Sequence, residues 1–276
     1  MKDVVIAILA KDKSYCLDFY LTCIYNQTFD KKRIHLYIRT NDSKDNAEEI
    51  LESFIEEHGS EYASVYYNND SIDESFKDLD EHDWTEERLK VLRRIRQESI
   101  EYAKEKDAHY FVVDCDNFIV ADTLECMYRD RESGVIAPLL ILKKNNYYAN
   151  YHHKACPAGY LEEDDEYFDI LFHKIKGKIC CDVVHCTYFI GNSFLDSVYY
   201  DDGSARMEYV IFSSAMRNAG INQYLDNSRF WGFLALIGQT EQNSYTEKME
   251  WGDFISGYWN EEYEKMNMGL IPERCD

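Results

Sequence analysis

Asp114 and Asp116 stand one residue apart where an apolar run, His109-Tyr110-Phe111-Val112-Val113, comes to its end. Carboxylates at i and i+2 fall on one side of an extended backbone, so the pair can offer oxygen ligands to a single hard divalent cation while Cys115 between them points away. The run itself has the character of a buried parallel strand, and in open α/β sheets ligands collect beyond the carboxyl ends of such strands. A polar turn closing the strand would use the same residues, so the D-x-D spacing alone leaves both readings standing.

The elements that must carry this pair are legible as a repeating pattern. Residues 4–9 predict a strand, and Ser14 opens a helix to about residue 26 with Leu17, Leu21 and Ile24 on its apolar side. Residues 34–38 predict a second strand, followed by a polar turn and a helix to about residue 58 carrying Ile50, Leu51, Phe54 and Ile55. A short third strand is expected at 64–67, then an acidic loop at 68–84 of the length that often serves function. Leu89, Leu92, Ile95 and Ala103 mark a helix over 86–106 that feeds directly into the strand ending at Asp114. Four alternations of strand and helix ahead of Asp114 call for an α/β fold, with a mostly parallel central sheet covered by helices. Neither G-x-x-x-x-G-K-[ST] nor G-x-G-x-x-G occurs, so a diphosphate would be held through a bridging Mn²⁺ or Mg²⁺ at the acidic strand end, a layout that suits nucleotide-sugar chemistry.

Composition narrows the partners. The chain has 276 residues, 45% hydrophobic and 15% aromatic with 3 Pro, enough for one large domain and too apolar for disorder. A formal charge of -22 argues against nucleic-acid binding and would steer a basic partner inward. Nine Cys, an odd number that includes the adjacent Cys180 and Cys181, read as mostly reduced thiols. No apolar run approaches the length of a membrane span, and neither a signal peptide nor a K-D-E-L type ending is seen, so a cytoplasmic protein is expected, of microbial or viral kind.

Ordered segments add a resemblance. Ile8-Leu9-Ala10-Lys11, Thr40-Asn41-Asp42-Ser43-Lys44-Asp45-Asn46, Trp84, Ile95-Arg96-Gln97, Phe111 to Asn117, Ala137-Pro138, Tyr147-Tyr148-Ala149-Asn150, Val184-His185-Cys186-Thr187 and Ala219-Gly220 together resemble the collagen-type β-galactosyltransferases of glycosyltransferase family twenty-five and their relatives fused to lysyl hydroxylases. The resemblance implies a GT-A fold over residues 1–237 and a UDP-hexose donor, UDP-galactose or UDP-glucose. It also implies Mn²⁺-dependent transfer with inversion to an acceptor such as hydroxylysine of a collagen-like protein.

Carried onto this chain, the resemblance assigns Asp114 and Asp116 to the metal and diphosphate. It groups Ala10, Asn41, Arg96, Cys115, Asn150 and His185 as donor-binding positions. Arg96 would hold diphosphate oxygens or clamp the acidic pair, or else lie exposed beside Arg93 and Arg94. Inversion needs a carboxylate to take the acceptor's proton. Counting back from Ala219-Gly220 puts Glu208 on one position of the family's acidic pair and Met207 on the other. Asp201 and Asp202 either supply the missing carboxylate or form a turn before Gly203. His is absent after residue 185, leaving the third metal ligand open, and Arg229 stands where a late His would be sought. Two readings compete with this one. His152, His153, Cys156, Cys180, Cys181, His185 and Cys186 form an ill-spaced zinc set. The other is a decayed carbohydrate- or protein-binding domain of the same fold. Trp251, Phe254 and Tyr258 predict a helical C-terminal extension over 238–276, packed on the domain or forming a homodimer contact.

Overall fold

The computed structural model describes residues 1–72, 85–142, 148–162 and 164–234. The predicted acidic loop lies partly, and the C-terminal extension and its dimer contact entirely, outside the described residues.

Strand and helix alternate as the pattern requires: β1 (Val4–Ala10), α1 (Ser14–Tyr25), β2 (Ile34–Thr40), α2 (Ala47–His58), β3 (Ser64–Asn68), α3 (Glu86–Glu105) and β4 (His109–Val113). Among the described residues, three helices link these four strands, the same elements that the apolar patterns name. Ser14 does not cap α1 with its own side chain; its N–H donates to Asp45 Oδ2 at 2.8 Å, so the cap comes from the neighbouring loop. After β4 follow β5 (Asn117–Ile119), α4 (Thr123–Arg129), β6 (Val135–Pro138) and β7 (Ile141–Leu142). Short pairs come next, β8 (Tyr151–His152), β9 (Lys154–Ala155) and β10 (Leu161–Glu162), then α5 (Asp165–Leu171), β11 (Lys178–Cys181) and β12 (Val183–Val184). The described chain closes with β13 (Thr187–Ile190), α6 (Glu208–Asn218), β14 (Gln223–Asp226) and β15 (Gly232–Leu234).

Eight strands form one sheet in the order β11-β14-β6-β13-β4-β1-β2-β3. The β3-β2-β1-β4 side is parallel throughout; β13 runs against both β4 and β6, and β11 against β14. The alternation of strand side chains splits the core in two. Val4, Ile6, Ile8, Phe111 and Val113 pack with Leu17, Leu21 and Leu51 of α1 and α2, whereas Val5, Ala7, Tyr110 and Val112 pack with Ile100, Ala103, Phe212 and Ala215 of α3 and α6. All five residues of β4 are buried, so the last covered residue, Val113, fixes where Asp114 emerges.

The acidic pair then leaves the strand as a turn, not as extended chain: Asn117 N–H donates to the Asp114 carbonyl at 2.8 Å. The turn is pinned from several sides. Asp114 N–H donates to the Cys186 carbonyl at 3.0 Å, Asn117 Nδ2 to Thr187 Oγ1 at 2.7 Å, and Tyr20 Oη to the Val113 carbonyl at 2.8 Å. Beyond it, β5 lies between the turn and β15, and Gly232 makes that pairing possible. Its φ is +136°, and a Cβ there would sit 1.8 Å from the Phe118 carbonyl oxygen. Gly232→Ala is therefore expected to cost about 2–4 kcal/mol, read as a lowered midpoint in urea unfolding; an unchanged midpoint would contradict this account of the β5–β15 contact.

Candidate functional site

Arg96 brings the candidate site together. It sits on α3 with 7% of its side chain exposed, and its Nη2 donates to both oxygens of Asp114, at 3.0 and 3.2 Å. Its Nε lies 3.3 Å from Glu208 Oε1, within ion-pair range but not aligned as a hydrogen bond, and Nη1 has no hydrogen-bond partner among the described residues. Glu208 is the first residue of α6 and is itself buried, so one guanidinium spans the strand-end carboxylate and the carboxylate at a helix start, where the helix dipole favours negative charge. Burial pushes the Asp114 carboxyl above its ordinary value, and Arg96 opposes that rise. Asp116 faces a second cation: Lys13 Nζ is 3.2 Å from its Oδ2.

Ala10 ends β1 and Asn41 follows β2 at the same end of these parallel strands, Ala10 opposite Thr40 in register. The two loops they open are stitched together. Asp12 Oδ1 accepts from Lys44 N–H at 2.6 Å, and Asp45 accepts from both Ser14 and Ala47. Asn41 is nearly buried, with Nδ2 3.5 Å from Asp42 Oδ2. Asp42 adopts a φ of 47° and accepts from Ser71 Oγ at 2.6 Å, which holds the turn after β2.

Several expected site residues make their contacts within the protein. Cys115 is buried, and its thiol donates to the Leu9 carbonyl at 3.4 Å, under β1 and away from the space between the carboxylates. Asn150 is fully buried: its Oδ1 accepts from Leu140 N–H at 2.8 Å and its Nδ2 donates to the Pro138 carbonyl at 2.9 Å. That amide brackets the chain leaving β6 and is closed off from solvent. His185 is 3% exposed, with Nδ1 2.9 Å from Cys186 Sγ and its ring against Tyr209 and His152. Burial holds it neutral, with its pKa lowered to about 3. Asp202 accepts from Ser204 and pairs with Arg206, while Asp201 accepts from Gly203 N–H, the contacts of a turn at Gly203. Burial disfavours the Asp202 charge, but these donors outweigh it and bring the pKa down to about 2. Arg229 pairs with Asp122 and stacks over Trp231.

Among the described residues the zinc set does not come together, and no third His, Cys, Asp or Glu joins Asp114 and Asp116. The one such trio is His153, Asp164 and Glu166, elsewhere in the molecule. The carboxylate pair still fits a hard divalent cation in donor type, since both residues offer oxygen and both keep part of their side chains open to solvent, 25% and 14%. Sequence reasoning missed Lys13, which carries no signal beyond its place in the first strand-to-helix loop. It also missed Tyr209, adjacent to Glu208 and packed on His185.

Known proteins can now be set beside this geometry. Residues 1–251 match the family model described as glycosyltransferase family 25, N-terminal domain. A mouse protein named inactive glycosyltransferase 25 family member 3 is 26% identical, over 89% of this chain and 43% of its own length. Mouse procollagen galactosyltransferase 2 is 25% identical, over 84% and 38%. The chain thus spans about two fifths of the relatives it matches. In fold it is similar to Staphylococcus aureus TarS in complex with UDP-GlcNAc, with a TM-score of 0.56 and 12% identity over 88% of this chain and 61% of the other. It is likewise similar to a mannosyltransferase from Pyrobaculum calidifontis in complex with GDP-Man and Mn²⁺, with a TM-score of 0.53 and 10% identity over 97% and 70%. The sheet is that of the GT-A glycosyltransferases. The expected cytoplasmic location is overturned: the relatives include procollagen galactosyltransferases, which belong to the secretory pathway. No helix among the described residues is long and apolar enough to cross a membrane.

Two outcomes follow from this geometry. Asn150→Ala should lower unfolding stability by about 2–4 kcal/mol through its stranded backbone partners, yet leave UDP affinity of the folded protein unchanged; weakened UDP binding with intact stability would restore the donor-contact role. Burial also depresses His185, His152 and His109 from 6.5 to about 3, 4 and 4. The unfolded chain takes up protons below 6.5 and the folded one does not, so this stability is fully present above 6.5 and is lost as pH falls toward 4. Urea midpoints should drop from pH 7 to pH 5, and a flat profile would contradict burial of the three rings.

Proposed function

We propose that this chain, which belongs to glycosyltransferase family 25, transfers a hexose from a UDP-sugar to a hydroxyl acceptor with inversion. The observation that carries the reading is the Arg96 link, which holds a strand-end carboxylate and a buried helix-start carboxylate on one side chain. Asp114 and Asp116 would hold a divalent cation, Mn²⁺ or Mg²⁺, which when bound supplies positive charge to the departing diphosphate. Arg96 keeps Asp114 oriented and adds positive charge where the diphosphate lies. Glu208 takes the proton of the acceptor hydroxyl as its oxygen bonds to C1, while the C1–phosphate bond breaks and UDP leaves. Ala10 and Asn41 line the place for the uridine, where the short Ala10 side chain lets the base approach.

The acceptor proposed is hydroxylysine of a collagen-like protein, or another basic protein. Relatives named procollagen galactosyltransferase support it, and so does the charge of -22, which draws a basic chain toward the site. Galactose and glucose are the two candidate donor sugars.

A second reading, a sugar-binding domain without turnover, is favoured by the relative whose name calls it inactive. Release of UDP from UDP-galactose and UDP-glucose, with and without Mn²⁺, separates the two. The transferase reading predicts Mn²⁺-dependent release that falls at least about a hundredfold in the Asp114→Ala, Asp116→Ala double variant. Glu208→Gln should lose turnover while still binding UDP. Binding of UDP with no release above the double variant would establish the second reading instead.

A further inference from the structure

We propose that Lys13 is a donor-binding residue that neutralises Asp116 until a donor arrives and then exchanges that carboxylate for the donor's diphosphate. The inference rests on the donor site proposed above and assigns it a residue that no resemblance supplied.

The two acidic residues are neutralised in different ways. Arg96 is buried, donates to both oxygens of Asp114 and leans on Glu208, so it is fixed. Lys13 meets Asp116 at one oxygen, with Nζ 3.2 Å from Oδ2, keeps 20% of its side chain exposed and ends a flexible four-carbon stem. Its Nζ also lies 3.2 Å from Tyr15 Oη, a second polar neighbour for the ammonium. The backbone beneath it is held firm, because Asp12 and Asp45 tie its loop to the loop after β2. Movement at this point therefore belongs to the side chain.

Nearby backbone groups do not compete for the role. Lys13 precedes α1, but the Ser14 N–H is taken by Asp45, and the Cys16 and Leu17 N–H groups by the Lys13 carbonyl. The helix start thus offers its first donors inside the protein, leaving the ammonium as the cation of this loop nearest the acidic pair. Charge counting points the same way. Asp114, Asp116 and Glu208 face Lys13 and Arg96, a net of one negative charge. A divalent ion turns that net positive by one, and the ammonium it crowds at Asp116 must find another anion. The donor's diphosphate is the anion that arrives at that place.

The test is calorimetric titration of the full chain with Mn²⁺ alone, and then with UDP in saturating Mn²⁺, for the wild type, Lys13→Gln and Lys13→Arg, each checked for unchanged thermal unfolding. Without the competing ammonium, Lys13→Gln should bind Mn²⁺ alone roughly fivefold tighter. It should bind UDP about tenfold more weakly, and Lys13→Arg should recover most of the UDP affinity. A merely structural lysine would move both affinities down together. Weaker or unchanged Mn²⁺ binding, or unchanged UDP binding, in Lys13→Gln overturns the exchange. If the wild type itself binds neither Mn²⁺ nor UDP, the donor site fails first and the exchange falls with it.

Discussion

A guanidinium buried between two carboxylates is costly unless its partners are held in place, and the rest of this structure holds them. Arg96 lies on the face of α3 that packs against the sheet. Asp114 comes to it at the point where the covered residues of β4 run out, and Glu208 comes at the start of α6, which packs on the same face of the sheet as α3. Losing either carboxylate would leave a buried charge poorly compensated. The site is thus as much a constraint on packing as a consequence of it.

The pinned turn after β4 serves the same end. With β13 bonded on one side, Tyr20 of α1 bonded to the strand end and β5 continuing beyond, Asp114 and Asp116 have little freedom to drift. Preorganised charge of this sort does its work at the moment when negative charge grows on a leaving group, because no reorganisation has to precede it. The strongly acidic surface acts at longer range, and chiefly on which partner arrives.

Much of the scaffold was legible in the chain because its signals are local. The apolar runs at 4–9, 34–38 and 109–113 and the helical spacing of Leu89, Leu92, Ile95 and Ala103 each name their element without reference to anything distant. The placement of Arg96 beside Asp114 and Glu208 was not written in spacing, since it depends on how α3 and α6 pack. Cys115, Asn150 and His185 misled for one shared reason: a polar or reactive residue looks the same in a sequence whether it faces a ligand or satisfies the core. Asn150 spends its amide on the Pro138 and Leu140 backbone, and His185 is closed in by rings. Lys13 was invisible for the opposite reason, as a lysine in a loop carries no pattern at all. The turn at Asp114 to Asn117 was hidden too, since the contacts that bend it come from Cys186 and Thr187, far along the chain.

The central claim is that Arg96 works as a fork joining the strand-end carboxylate to the helix-start carboxylate, and not simply as a buried positive charge. Arg96→Lys keeps the charge and loses the fork, so steady-state UDP release by this variant, alongside its unfolding midpoint, tests the claim most directly. The account predicts a folded protein whose kcat falls on the order of a hundredfold. A folded Arg96→Lys protein with wild-type turnover would contradict it.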